Sequence, residues 1–152
     1  MLFLSGCSDA KRPADLPQLH LTSITFTQED QPLSGAEIIF FSKDNSCRWA
    51  VAGTTDSNGT AVLHTHGRFI GAPEGTFVIT VSKTETENSE QGEVQTKPIL
   101  VYTLVNKKYC SQATSPLEIK IEKGKNAKTF DLGKAEKTLL EKIDPPTDTQ
   151  GT

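Results

Sequence analysis

At 152 residues, with 16 basic against 19 acidic side chains and a net charge of −3, the chain is one domain long, enough to bury a core without a metal. No excess of positive charge is available to gather a phosphate backbone, so nucleic acid is excluded as a natural partner. No apolar run approaches the length needed to cross a bilayer as a helix. Hydrophobic residues make up 35% of the chain; Gly, Thr, Ser, Val, Ile and Phe are common while Ala and Leu runs of helical period are scarce, so the elements to look for are strands.

The N-terminus reads "MLFLSGCSDAKRPADLP". A cysteine directly after "LSG" matches a bacterial lipoprotein motif, although no Lys or Arg precedes it and "MLFL" is short for an apolar signal core. Residues 1–6 are therefore read as a signal remnant, with the start placed late. Cys7 is read as the lipidated mature N-terminus, and 7–17 as a flexible, polar, proline-bearing tether. The implied partner is a membrane reached through the lipid, and the location is the cell envelope, with Ser8 permissive for outer-membrane sorting.

The folded body is expected over 18–133. "LHLTSITFT" carries Leu19 and Leu21 in one phase and Ile24 and Phe26 in the other, which predicts a bulge or bend near Thr22–Ser23. "QEDQPLSG" is turn chemistry. "AEIIFFS" is a strand with Ala36, Ile38 and Phe40 inward and Ile39 and Phe41 on a partly covered outer face. "CRWAVAGTTDSNGTAVLHTHG" reads as a hairpin turning at Asp56–Gly59, where Asn58 and Gly59 tolerate positive φ. "TFVITVS" alternates Phe77, Ile79 and Val81. Residues 84–97 are acidic and predict a long exposed loop or hairpin tip; "PILVYTLV" is a further strand. "LEIKIEKGKNAKTFDL" predicts a closing hairpin with Gly124 in its turn. The tail, 134–152, admits a short helix over "KAEKTLLEKI" and then a polar, Pro-rich end unable to fold alone. About seven short strands with turns at this spacing predict an all-β antiparallel sandwich, transthyretin-like or immunoglobulin-like.

The order "QPLSGAEIIFF", "GTTDSNGTAVLHT", "GAPEGTFVITVSK", "KKYCSQATSPLEIKIEKGKNAKTFDL" resembles the carboxypeptidase regulatory-like, transthyretin-like sandwich modules of bacterial, planctomycete-type lipoproteins, over about residues 21–132. The resemblance implies an exported, non-catalytic module and names no ligand. Cys47, Cys110 and the long acidic 84–97 segment depart from the pattern. The transthyretin-like fold also has a 5-hydroxyisourate hydrolase branch ending in Tyr-Arg-Gly-Ser; this chain ends "DTQGT", which argues against that activity.

With Cys7 carrying lipid, Cys47 and Cys110 form an even pair. A disulfide between them would close a loop of about 60 residues and contribute roughly 4 kcal/mol at most; two part-buried free thiols are the other reading. His64 and His66, two apart on a predicted strand, would project from one face, with His20 as a third imidazole. Pairs at that spacing can take zinc or copper, and the bland alternative is a solvent-facing edge. "TDSNGTAVLH" lacks the ligands of a calcium loop. Trp49 and Tyr102 are the aromatic side chains able to stack on a sugar, but Trp49 beside Cys47 is expected in the core. No G-x-S-x-G, H-E-x-x-H or phosphate-cradling loop is present, and although Cys110 with a distant His can be written as nucleophile and base, no arrangement favours that over a disulfide. The expectation is a cofactor-free, non-catalytic envelope module with a protein or glycan partner, or alternatively a carbohydrate-binding or enzyme-accessory module.

Overall fold

The structure, a computed structural model, describes residues 12–87 and 97–145. Cys7, residues 88–96 of the acidic 84–97 segment and residues 146–152 of the tail lie outside the described residues. The chain first forms β1 (Leu19–His20), β2 (Thr22–Gln28), β3 (Gln31–Pro32), β4 (Glu37–Ser42) and β5 (Val51–Thr54). It continues through β6 (Thr60–Val62), β7 (His64–Thr65), β8 (Phe69–Ile70), β9 (Ala72–Pro73) and β10 (Gly75–Ser82). Last come β11 (Thr84–Glu87), β12 (Ile99–Thr103), a 3-10 turn (Lys107–Cys110), β13 (Glu118–Ile121), β14 (Asn126–Asp131) and β15 (Thr138–Ile143).

The protein is an all-β sandwich. One sheet runs β13-β10-β4-β5-β7-β8. The other is organised on β2, which pairs with β14 on one side and with β3 and β6 on the other. The alternation read from the sequence sets the core: Ala36, just before β4, and Ile38 and Phe40 within it face inward beside Phe77, Ile79 and Val81 of β10. Phe40 and Phe77 meet with ring centroids 5.5 Å apart, and on the opposite sheet Phe26 stacks on Phe130 at 5.6 Å. Each large apolar side chain so buried contributes about 1.5–3 kcal/mol against exposure. Ile39 and Phe41 are half-covered, as their outward position predicts.

Four expectations change. There is no phase switch near Thr22: His20, Thr22, Ile24 and Phe26 are all buried in one phase, and Leu21 is turned outward. Polar residues occupy these inward positions with one polar group of each partnered. The Thr22 hydroxyl donates to the His20 carbonyl (2.8 Å), and the Gly124 amide donates to His20 Nδ1 (3.2 Å).

The Asp56–Gly59 turn is present but joins no hairpin. β5 pairs with β4 and β7, whereas β6 pairs with β2, so the turn carries the chain from one sheet to the other. Asp56 Oδ1 accepts from the amides of Asn58 and Thr60, and only Gly59 of the turn has positive φ, at +77°. Likewise the 118–131 segment is an arch. β13 extends the six-stranded sheet, and β14 lies parallel to β2 in the other, the one parallel pair among the described residues. The Asn126 side chain accepts from the Glu122 amide and donates back to the Glu122 carbonyl (2.8 Å), clamping the turn.

The tail forms a strand in place of the predicted helix. β15 pairs with β12, which pairs with β11, giving a separate three-stranded sheet. Residues 84–87 are therefore one arm of an extended hairpin, exposed along its length. An open strand edge offers backbone partners that an isolated ten-residue helix cannot match.

Candidate functional site

The described chain begins with a docked segment. Leu16 is buried, its amide bonds back to Pro13, and Asp15 forms an ion pair with Arg48. The C-terminal half of the expected tether is thus held against the sandwich. It lies along the 43–50 loop, which is folded by its own polar residues: Ser42 Oγ and the Ser46 amide both donate to Asp44 Oδ1, at 3.0 and 3.1 Å. The Ser46 hydroxyl and amide, with the Ser42 hydroxyl, hold the Asp44 carboxyl below its ordinary value.

Between these two segments and the β9–β10 corner opens a cleft of about 420 Å³ lined by Asp15, Gln18, Cys47, Arg48, Trp49 and Glu74. Trp49 is half-buried, a correction to the core position expected for it. The Arg48 guanidinium lies 4.8 Å from its ring centroid, and the His66 ring meets it edge-on at 5.1 Å. A second hollow, of about 340 Å³, is lined by the same loop together with Phe41, Asn45 and Gln112, so Trp49 borders open space in two directions.

Beneath the cleft, His20 is buried, with its Nε2 3.4 Å from Glu74 Oε1. That contact has the distance of an ion pair but not the alignment of a hydrogen bond, which leaves Nε2 without a hydrogen-bond partner. Because Nδ1 accepts from Gly124, the ring proton is assigned to Nε2, on the Glu74 side.

The three histidines do not converge. His64 lines an open groove of about 560 Å³ with Glu37 and Asp56, its Nδ1 3.2 Å from the Val62 carbonyl oxygen. His66 lies beyond the strand with φ +57°, so the period-2 argument for a shared face with His64 fails there. Among the described residues no three His, Cys, Asp or Glu side chains come together as a metal site.

Cys47 and Cys110 are free thiols, each with its own partners. Cys47 Sγ donates to the Trp49 carbonyl (3.5 Å), while Cys110 Sγ lies 3.7 Å from Thr103 Oγ1 and 3.9 Å from the Asn106 carbonyl. No imidazole is among the hydrogen-bond partners of Cys110. Lys137 Nζ stands 4.6 Å over the Tyr102 ring, as the Arg48 guanidinium stands over Trp49, and is paired with Glu85 and Glu87; Tyr102 does not line the Trp49 cleft.

The cleft residues that sequence reasoning missed are Asp15, Gln18, Arg48 and Glu74. Only Arg48 carried a local signal, by adjacency to Trp49. The others are assembled by the docking of 12–18 and by the β1–β9 ladder, which sets Leu19 opposite Pro73 and so brings Gln18 toward Glu74.

No protein-family model matches this chain, and comparison with the curated proteins and with the solved structures gives no match.

Proposed function

We propose that the protein is a non-catalytic binding module, held at the bacterial cell envelope by lipid on Cys7, with the Trp49 cleft as its binding surface. The observation that carries the reading is Trp49 itself, half-exposed at the rim of a concave site among two carboxylates, an amide and a guanidinium. An aromatic side chain left open beside convergent polar groups is the composition of a ligand site rather than of a packing core. The "LSGC" motif, the polar segment behind it and the resemblance to transthyretin-like lipoprotein modules support the envelope location.

The same observation favours carbohydrate as the ligand class. A sugar ring presents an apolar face to Trp49 and hydroxyls to Asp15, Gln18 and Glu74, and it needs no further chemistry from the site.

The binding test is capture from native envelope extract, and from a panel of soluble glycans, by the full chain and by Trp49→Ala. The full chain should retain a protein or glycan that Trp49→Ala retains at least about tenfold less well. Equal retention by the two, or none by either, overturns the cleft assignment. Anchoring is read separately: an alkyne fatty acid fed to native cells should label the protein, and Cys7→Ala should abolish the label.

A further inference from the structure

Two places on the described surface expose aliphatic side chains in groups. One is β15, with Leu139, Leu140 and Ile143, but its sheet also carries Glu85, Glu87 and Glu141. The other surrounds the short edge strand β8. Ile70 is 60% exposed, Leu21 45% and Val62 41%. All three flank the fully buried Leu63, whose amide donates to the Thr22 carbonyl and whose carbonyl accepts from Gly71. Ile70 pairs across from His64 in the six-stranded sheet, and Val62, two residues before His64, pairs across from Ser23 in the other.

Both groups have mixed charge: Glu37 and Asp56 line the groove beside Val62 and His64, and Lys137 and Lys142 accompany the carboxylates around β15; what distinguishes the β8 edge is arginine. The chain has three arginines, Arg12, Arg48 and Arg68, and all three lie in this neighbourhood. Arg12 stands 6.0 Å from the Phe69 ring centroid, Arg68 is exposed in the turn preceding β8, and Arg48 is engaged by Asp15 and Trp49 on the adjoining loop. The sequence "HGRFIG", with Gly67 and Gly71 both at positive φ, therefore puts a guanidinium, an aromatic ring and an aliphatic side chain on one edge turn.

Chain length adds a third constraint. Arg12, the first described residue, is five residues from Cys7, a span of no more than about 18 Å even when fully extended. With 12–17 docked, a lipid on Cys7 cannot hold this end of the sandwich farther from the bilayer surface than that.

We infer that the β8 edge is a membrane-contacting surface: Arg12 and Arg68 engage the phosphates of an anionic lipid headgroup layer, while Ile70 and Leu21 enter the apolar boundary beneath. The orientation rests on the proposed lipidation of Cys7; the surface chemistry does not. An apolar edge that carries exposed Arg12 and Arg68 gains from both terms at an anionic bilayer, and β15 has no arginine to offer the first. One lipid chain alone gives only marginal anchoring, so a second contact of this kind has a use.

The test uses the full chain with Cys7→Ser, so that no lipid contributes, in co-sedimentation with vesicles of phosphatidylcholine alone or with phosphatidylglycerol added. The chain should sediment with the anionic vesicles, and increasingly less so as salt rises. Arg12→Ala with Arg68→Ala should weaken the partition about 25-fold, at roughly fivefold per arginine. Ile70→Asn should weaken it several-fold, and Ile143→Asn on the other exposed group should leave it unchanged, with circular dichroism confirming that each variant is folded. Absence of binding to anionic vesicles overturns the inference. So does binding indifferent to the Arg12, Arg68 and Ile70 substitutions, or lost equally in Ile143→Asn. Fatty-acid labelling of Cys7 without vesicle binding by this chain would leave the anchor standing and this surface refuted; the reverse result would refute the anchor alone.

Discussion

Two glycines with nearly the same backbone conformation differ sharply in surroundings. Gly35 has φ +73° and Gly59 φ +77°, so alanine at either meets the left-handed penalty of about 1–2 kcal/mol. A Cβ on Gly35 would find nothing within 4 Å. On Gly59 it would stand 2.6 Å from the Phe26 carbonyl oxygen, 3.1 Å from the Leu33 amide nitrogen and 3.2 Å from the Pro32 Cα, all backbone. Backbone in the central strand cannot swing aside as a side chain can, so the crossover must move off β2. That movement stretches the Phe26 amide to Gly59 carbonyl bond (2.8 Å) and strains the Leu33 amide to Phe26 carbonyl bond (3.0 Å). At about 1 kcal/mol each, these add roughly 2 kcal/mol. Gly59→Ala is thus expected to cost about 3–4 kcal/mol and Gly35→Ala about 1–2. Equilibrium urea unfolding, followed by circular dichroism and by the fluorescence of the single tryptophan, measures both. Equal costs within about 0.5 kcal/mol would refute the claim that this turn is pinned against β2.

Other consequences can be checked with simple measurements. Alkylation of the native, non-reduced protein followed by mass spectrometry should label both Cys47 and Cys110 without prior reductant; a species with both thiols blocked would contradict the separate placement of the two. Truncation after Lys137 removes β15, so hydrogen exchange should speed up in β11 and β12 while β2, β4 and β10 keep their protection; uniform loss across the sandwich would show that the small sheet is not a separate unit. The hydrogen bonds of Glu87 and then Glu85 raise the Lys137 pKa above its ordinary 10.5, so their contribution is present below that pH and is lost as pH rises through the higher folded value. Lys137→Met should remove that alkaline loosening of the β11–β12 hairpin. Asp44 has the opposite sign: with its pKa lowered from 3.8, its contribution is present above that pH and is lost as pH falls through the depressed value, and Asp44→Asn should flatten this part of the acid limb.

What the chain determined by itself is local. The inward faces Ala36, Ile38, Phe40 and Phe77, Ile79, Val81 follow from side chains alternating across a pleated strand, and the Asp56–Gly59 turn follows from an Asx side chain and a glycine at positive φ. These sufficed for strand positions and for an all-β sandwich. The partner of each strand was decided only in three dimensions. The pattern of β6 and of β14 reads the same whether the preceding turn closes a hairpin or crosses to the other sheet, because alternation reports which face is buried and not which neighbour supplies the hydrogen bonds. "TLLEKI" satisfies helix and strand alike until the free edge of β12 is present to pair with it. His20 becomes an inward position because the Gly124 amide, from the far end of the chain, donates to its Nδ1, while Thr22 satisfies its hydroxyl locally on the His20 carbonyl. The cleft has the same character. Trp49 was visible as one of the aromatic side chains able to stack on a sugar, though expected in the core, but Asp15, Gln18 and Glu74 reach it through docking and strand register that no local window contains.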